Sequence, residues 1–158
     1  MKQYLVQDFM HRSVVTISPT ATLRQAVELM IKKKTNGIVV VDEKNCVCGI
    51  LSSWDVISYI VPDYLEGDKH LASFAAESTF AKRTQALEDH TIDKFMTKHV
   101  HTVKPTHSLM AASTLLAKHR IRQLPVVDDA GVVVGYISRT NIKHAIGDVF
   151  GIPLETER

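Results

Sequence analysis

Cysteine is scarce in this chain, with 2 in 158 residues, and aromatic side chains make up only 6%, with a single tryptophan. Cys46 and Cys48 stand two apart on an expected strand, where side chains share a face but lie too far apart for a comfortable disulfide. The expectation is two reduced thiols, in keeping with a reducing compartment, and a fold held by its core without staples. Long apolar runs are missing too. Gly37 to Val41 and Val132 to Ser138 fall far short of the ~20 residues that span a bilayer. The opening Met1-Lys2-Gln3-Tyr4 has no apolar stretch with a cleavage site, so the expected location is the cytoplasm. Neither sign of charge is in large excess. A net charge of +2 and a pI of 8.5 are too mild to argue for nucleic acid or a membrane surface. No helix-turn-helix, zinc pattern or aromatic and basic groove is present, which makes nucleic acid an unlikely partner.

What the chain does have is an ordinary apolar fraction of 45% and an internal repeat. Phe9-Met10 realigns without a gap on Phe95-Met96, Thr16 on Thr102, Pro19-Thr20 on Pro105-Thr106 and Leu23 on Leu109. The register continues through Val40-Val41-Asp42 on Val126-Val127-Asp128, Gly49 on Gly135 and Ser52 on Ser138. One supersecondary unit is used twice. The expected arrangement is two units about a pseudo-twofold axis, packed sheet to sheet, with clefts between them.

Punctuation divides each repeat. Val14 to Ile17 reads as a strand, and Thr22 with Gln25 has capping-box spacing before a helix of Leu23, Ala26, Val27 and Met30. The helix is expected to stop at Thr35-Asn36-Gly37 on a glycine cap. Ile38 to Val41 is a buried strand, Glu43-Lys44-Asn45 a turn, Val47 to Leu51 a strand, and Ser52 leads a helix that ends at Pro62. The second copy repeats the order: strand Val100 to Val103, helix Leu109 to His119, strands Leu124 to Asp128 and Val132 to Ile137, a turn at Asp129-Ala130-Gly131, and a helix from Arg139 toward Val149 weakened by Gly147 and Gly151. The fold class is α/β, with β-α-β-β-α units over 1–61 and 92–150, an inserted helical segment over 62–91, and a tail over 151–158.

Two candidate sites follow from local chemistry. Ser52-Ser53-Trp54-Asp55 stands where a strand becomes a helix, so backbone N–H groups and hydroxyls converge at the positive end of a dipole suited to phosphate. Ser-x-x-Asp is also a capping box that needs no ligand. Trp54 reads as an amphipathic packing residue more readily than as a stacking platform. Lys32-Lys33-Lys34 and Lys118-His119-Arg120-Ile121-Arg122 are basic corners at equivalent positions, either facing phosphate or simply complementing a helix C-terminus.

The run Leu124-Pro125-Val126-Val127-Asp128 and then Gly135-Tyr136-Ile137-Ser138-Arg139-Thr140-Asn141 resembles the signature of a CBS domain, the family named after cystathionine β-synthase. Ile38-Val39-Val40-Val41-Asp42 and Gly49-Ile50-Leu51-Ser52-Ser53-Trp54-Asp55 match in the first copy, as do the openings Asp8-Phe9-Met10 and Lys94-Phe95-Met96. The resemblance implies a tandem pair acting as a regulatory sensor that binds AMP, ADP, ATP or S-adenosylmethionine, forms a homodimer, and acts on a partner protein in trans. It implies that Asp55 takes the ribose diol, with Ser52 and Ser53 beside it. In the second copy Ser138, Arg139 and the uncharged Asn141 hold those places. Thr16 and Ser18, and Thr102 and Lys104, match the segment that lines the cleft. Asn36, and Ile121 with Arg122, match the stretch that meets adenine, and Lys34 and Arg120 are the phosphate-pairing candidates. Val39 departs from the pattern where Pro125 keeps it, and altered geometry is expected there.

An enzyme would need a converging set of groups. His99 and His101 alternate for one strand face with His107 nearby, yet no carboxylate or cysteine completes a metal set. Ser52 and Ser138 lack a His-carboxylate context. The expectation is no catalysis, no metal and no obligatory cofactor. The competing reading is a ligand-free dimeric adaptor whose outer helices or inserted segment bind protein.

Overall fold

The computed structural model describes residues 2–74 and 77–154. Its elements are α1 (Val6–Phe9), β1 (Thr16–Ile17), α2 (Leu23–Lys33), β2 (Gly37–Val41), β3 (Val47–Ser52), α3 (Ser53–Ile60), α4 (Asp63–Glu66), α5 (Lys69–Phe74) and α6 (Glu77–Leu87). A 3-10 turn at Ile92–Lys94 follows, then α7 (Leu109–His119), β4 (Gln123–Val127), β5 (Val133–Ser138) and α8 (Arg139–Val149). The class is mixed α/β with short sheets.

Compact units and sequence repeats are not the same segments. One unit comprises residues 15–43 and 48–100; the other comprises the chain up to Val14, residues 44–47 and everything from His101. Each repeat therefore leaves its opening phrase with the other repeat's body.

In the unit built on the first repeat, β2 lies between β1 and β3, and β1 runs parallel to β2 with Thr16 opposite Val39 and Ile17 opposite Val40. The core is formed by Leu23, Ala26 and Met30 from α2, Ile38 and Val40 from β2, Leu51, Val56, and Leu87 and Ile92 from the connecting segment. Burial at 23, 26 and 30 is the helical stripe of the sequence, and the Thr22 capping box fixes its start. Thr22→Ala is expected to cost about 1 kcal/mol, read as a lower midpoint in urea at unchanged slope. The helix ends differently from expectation. Its C-cap is Lys34, in the left-handed conformation at φ 51, and Gly37 instead begins β2. Tyr59 stacks on Phe95 at 4.2 Å, so the second repeat's opening phrase is packed into this unit, where Ile50 and Thr97 exchange two 2.9 Å backbone bonds.

The other unit mirrors that plan. Val6, Val103, Leu109, Ala112, Leu116, Leu124, Val126, Ile137 and Ala145 form its core. Leu5 bridges to Ser108, and His11 and Tyr136 exchange two 2.9 Å backbone bonds. β4 and β5 pair antiparallel, with Gly131 at φ 82 closing their turn. Val100 to Val103 is not a strand; only Val103 bridges to Val126. Pro125 gives the reason. In the first unit Val39 N–H donates to the Val15 carbonyl at 3.1 Å, extending the ladder, whereas a proline at the equivalent place has no N–H to give His101. The last helix, α8, runs to Val149 with Gly147 inside it.

Candidate functional site

α3 begins at Ser53, and its N-terminus gathers the first-repeat candidates. Ser52 is the N-cap. Its hydroxyl accepts from Asp55 N–H at 3.3 Å, while Asp55 Oδ2 accepts from Ser52 N–H at 2.7 Å and from the Ser52 hydroxyl at 2.9 Å. Asp55 Oδ1 accepts from the Thr97 hydroxyl at 3.2 Å. The capping box is thus formed, and Thr97 adds a partner that neither periodicity nor motif spacing singled out. Its only signal was its place directly after Phe95-Met96.

Beside this box, Ser53 N–H donates to the Asn36 carbonyl at 3.0 Å, and the Ser53 hydroxyl donates to Asn36 Oδ1 at 3.1 Å. Lys34, Thr35, Asn36 and Ser53 share a cavity of about 320 Å³ with Met30, Val56 and Ile57. That volume is at the lower edge of the ~300–1,000 Å³ of small-molecule sites. The cavity has apolar walls for a flat ring, an amide and hydroxyls for orientation, and a cation at its edge. Ser18 is elsewhere, in a depression with Ile17, Thr20 and Gln25, where its hydroxyl is 2.9 Å from that of Thr20. Thr16, half-buried on β1, lines neither hollow.

Lys34 holds its left-handed backbone without being glycine, and Arg120 repeats this at φ 51 as the C-cap of α7. Such a conformation costs an L-residue about 1–2 kcal/mol. Two long cations kept at equivalent strained positions suggest that the side chain matters there. Lys34→Gly is expected to stabilise the protein by up to about 1 kcal/mol; a lower thermal midpoint would contradict the strain argument.

In the second repeat Ser138 caps α8 as Ser52 caps α3. Asn141 is buried, with Oδ1 accepting from Ser138 N–H at 2.7 Å and from the Ser138 hydroxyl at 2.8 Å. Arg139 N–H donates to the Arg122 carbonyl at 3.0 Å, which joins the start of α8 to the stretch after α7. Ile121 is held by its N–H to the Leu116 carbonyl and packs on the core. Lys104 turns to the exposed Asp129, at 2.6 Å, and this pairing draws the Asp129 carboxyl below its ordinary value. Among the described residues Lys118, Arg120, Arg122 and Arg139 form no ion pair. Thr102, half-buried, follows His101, whose ring stacks on His119. Sequence reasoning weighed His101 only as a metal ligand and missed this stack.

Trp54, expected to pack, is 68% exposed, as Ile31 is at 72% and Ile57 at 51%. Cys46 and Cys48 form no disulfide, and burial raises the Cys48 thiol above its usual value. Among the described residues no group of three or more His, Cys, Asp or Glu could hold a metal, and no helix is long and apolar enough to cross a membrane.

Residues 6–62 and 92–148 each match the CBS domain family. In sequence the chain is 30% identical over 133 residues to a homoserine O-acetyltransferase of Methanocorpusculum labreanum, covering 84% of this chain and 22% of that protein. It spans about a quarter or less of the acetyltransferases it matches. It is also 25% identical to the chloroplastic CBS domain-containing protein CBSX2 of Arabidopsis thaliana, over 90% of this chain and 63% of that one. Among solved structures, CBSX2 in complex with AMP superposes at a TM-score of 0.71, with 26% identity over 93% of this chain and 98% of the other. The CBS domain pair of protein MJ0100, in complex with 5'-methylthioadenosine and S-adenosyl-L-methionine, superposes at 0.67, with 26% identity over 90% and 99%.

Proposed function

Since this chain belongs to the CBS domain family, with two copies in tandem, we propose that it is a regulatory module whose ligand is an adenosine compound held at the N-termini of α3 and α8. The observation that carries the reading is the 320 Å³ cavity in which Lys34, Asn36 and Ser53 converge beside the Ser52–Asp55 box. In this assignment the Asn36 and Ser53 groups orient the base and sugar, Asp55 offers the remaining acceptor capacity of its carboxylate to the ribose diol, and Lys34 meets phosphate. Bound AMP in CBSX2, and bound methylthioadenosine and S-adenosylmethionine in the MJ0100 pair, support the ligand class. The module has no catalytic role in this reading and acts on a partner protein in trans.

A thermal-shift screen with AMP, ADP, ATP, S-adenosylmethionine and GTP tests the assignment. A ligand present at 100 times its Kd stabilises the native state by about 2.7 kcal/mol. A rise in midpoint with adenosine compounds and not with GTP is expected; no rise with any of them would refute the nucleotide reading.

One observation favours protein contact as well. Trp54 is an exposed large apolar side chain on α3, outside that cavity, which a second copy of the chain would cover. Trp54→Asp, outside that cavity, is expected to turn a sedimenting dimer into a monomer without lowering nucleotide affinity in the same sample. A wild-type monomer at micromolar concentration would exclude the dimer. In the adaptor reading, this surface would be the functional one and the nucleotide screen would be silent.

A further inference from the structure

The second repeat contains an aromatic pair that the first does not. The rings of His101 and His119 stack with centroids 3.8 Å apart and planes 18° from parallel. Their counterparts in the repeat alignment are Val15 and Lys33, so the fold does not require the pair. The stack joins two segments already assigned to the second-repeat site, because His101 directly precedes Thr102 and His119 directly precedes Arg120. The absence of a ladder bond opposite Pro125 goes with this local departure from strand. In nearly parallel rings the nitrogen lone pairs lie in separate planes and do not converge on one ion, so the pair is not a metal chelate.

The electrostatic setting of His119 is one-sided. Loss of hydration, then His101, then Lys118 hold the His119 imidazolium below the ordinary imidazole value. Those two groups, one from the segment before Val103 and one from α7, are the titratable neighbours that act on it, and Arg120 follows it in the chain. Two protonated rings in contact would repel. A phosphate placed among Lys118, Arg120, Arg122 and Arg139 would reverse the balance by rewarding one extra positive charge.

We propose that the His101–His119 pair is a proton-taking, specificity-determining element of the second-repeat site: binding of a phosphate-bearing adenosine ligand draws one proton from solvent onto the pair. The inference rests on the nucleotide reading above. The sign follows from linkage. His119 is held low in the free protein and would be raised by the bound phosphate, so a proton is taken up between the two values. Affinity then rises as pH falls through that window and levels off below the free value. S-adenosylmethionine, whose sulfonium is itself a cation, gains nothing from the added proton and is disfavoured in this site.

The test is calorimetric titration of the full chain with AMP and with adenosine, near pH 6.5, in two buffers of different ionisation enthalpy. The variants are His119→Gln and His101→Val, the latter restoring the first-repeat residue; the exposed His119 makes its exchange benign to folding. Wild type is expected to take up about half a proton more per chain than either variant on binding AMP, and no more than either on binding adenosine. Its AMP affinity should rise several-fold more than theirs between pH 8 and pH 6. The second ionisation of AMP contributes equally to all three and cancels. AMP binding with the same proton uptake and pH slope in wild type and variants would overturn the inference alone. No binding of AMP by any of them would overturn the nucleotide reading and this inference with it.

Discussion

Gly135→Val is expected to lower stability by about 3 kcal/mol, at the upper end of overpacking changes, and to release the N-terminal segment from its unit. A Cβ at Gly135 would collide with the His11 backbone carbonyl, with Met10 Sδ 3.3 Å away. The carbonyl cannot swing aside, because His11 and Tyr136 are tied by two backbone bonds on either side of that point. Relief requires lifting residues 5 to 11 and losing the buried Val6 with them. The equivalent Gly49 gives the internal control. There the clashing atoms are the Met96 side-chain Sδ and its neighbours, at 2.6 Å and beyond, and a thioether side chain can change rotamer. Gly49→Ala should therefore cost clearly less than Gly135→Ala in paired urea melts. Equal costs would mean that the two segments are held by different forces from those described.

Asp55→Ala is expected to weaken adenosine-ligand binding by about 1.5–3 kcal/mol, the range for a hydrogen bond to a charged group. It should also cost about 1 kcal/mol of stability, because the same carboxylate closes the α3 capping box and accepts from Thr97. The two effects separate with Asp55→Asn. The second repeat already shows an asparagine in this role, Asn141 making the same two bonds to Ser138 at nearly the same distances. Asp55→Asn should then preserve the melting midpoint of the free protein while losing part of the ligand-induced shift. Should Asp55→Asn bind as tightly as wild type, ribose recognition would not depend on the charge. Should Asp55→Ala also bind normally, Asp55 would be a helix cap and nothing more.

The hydrogen-bond geometry around the candidate site was legible in part because it is local. Ser-x-x-Asp and Ser-x-x-Asn form their capping boxes within one helical turn, and the Thr22–Gln25 box is complete for the same reason. The αL caps at Lys34 and Arg120 were not legible. Composition favours glycine there, and Gly37 stands close enough in sequence to attract the assignment. Thr97 escaped notice because its bond to Asp55 spans distant parts of the chain.

By itself, the sequence determined the repeat, most of the order of strands and helices, the helical stripes and the N-caps, since periodicity and short-range hydrogen bonding act over a few residues. The tertiary structure alone decided which pieces form a unit. Long-range backbone pairing, Leu5 to Ser108 and Thr22 to Thr91, hands each opening phrase to the other repeat's body, and close backbone approach makes Gly135 indispensable. It also decided that Pro125, lacking one N–H, leaves the second repeat a single bridge at Val103 where Val39 extends a ladder in the first, and that His101 meets His119. Contacts of that kind depend on where distant segments come to rest, and no local pattern encodes them.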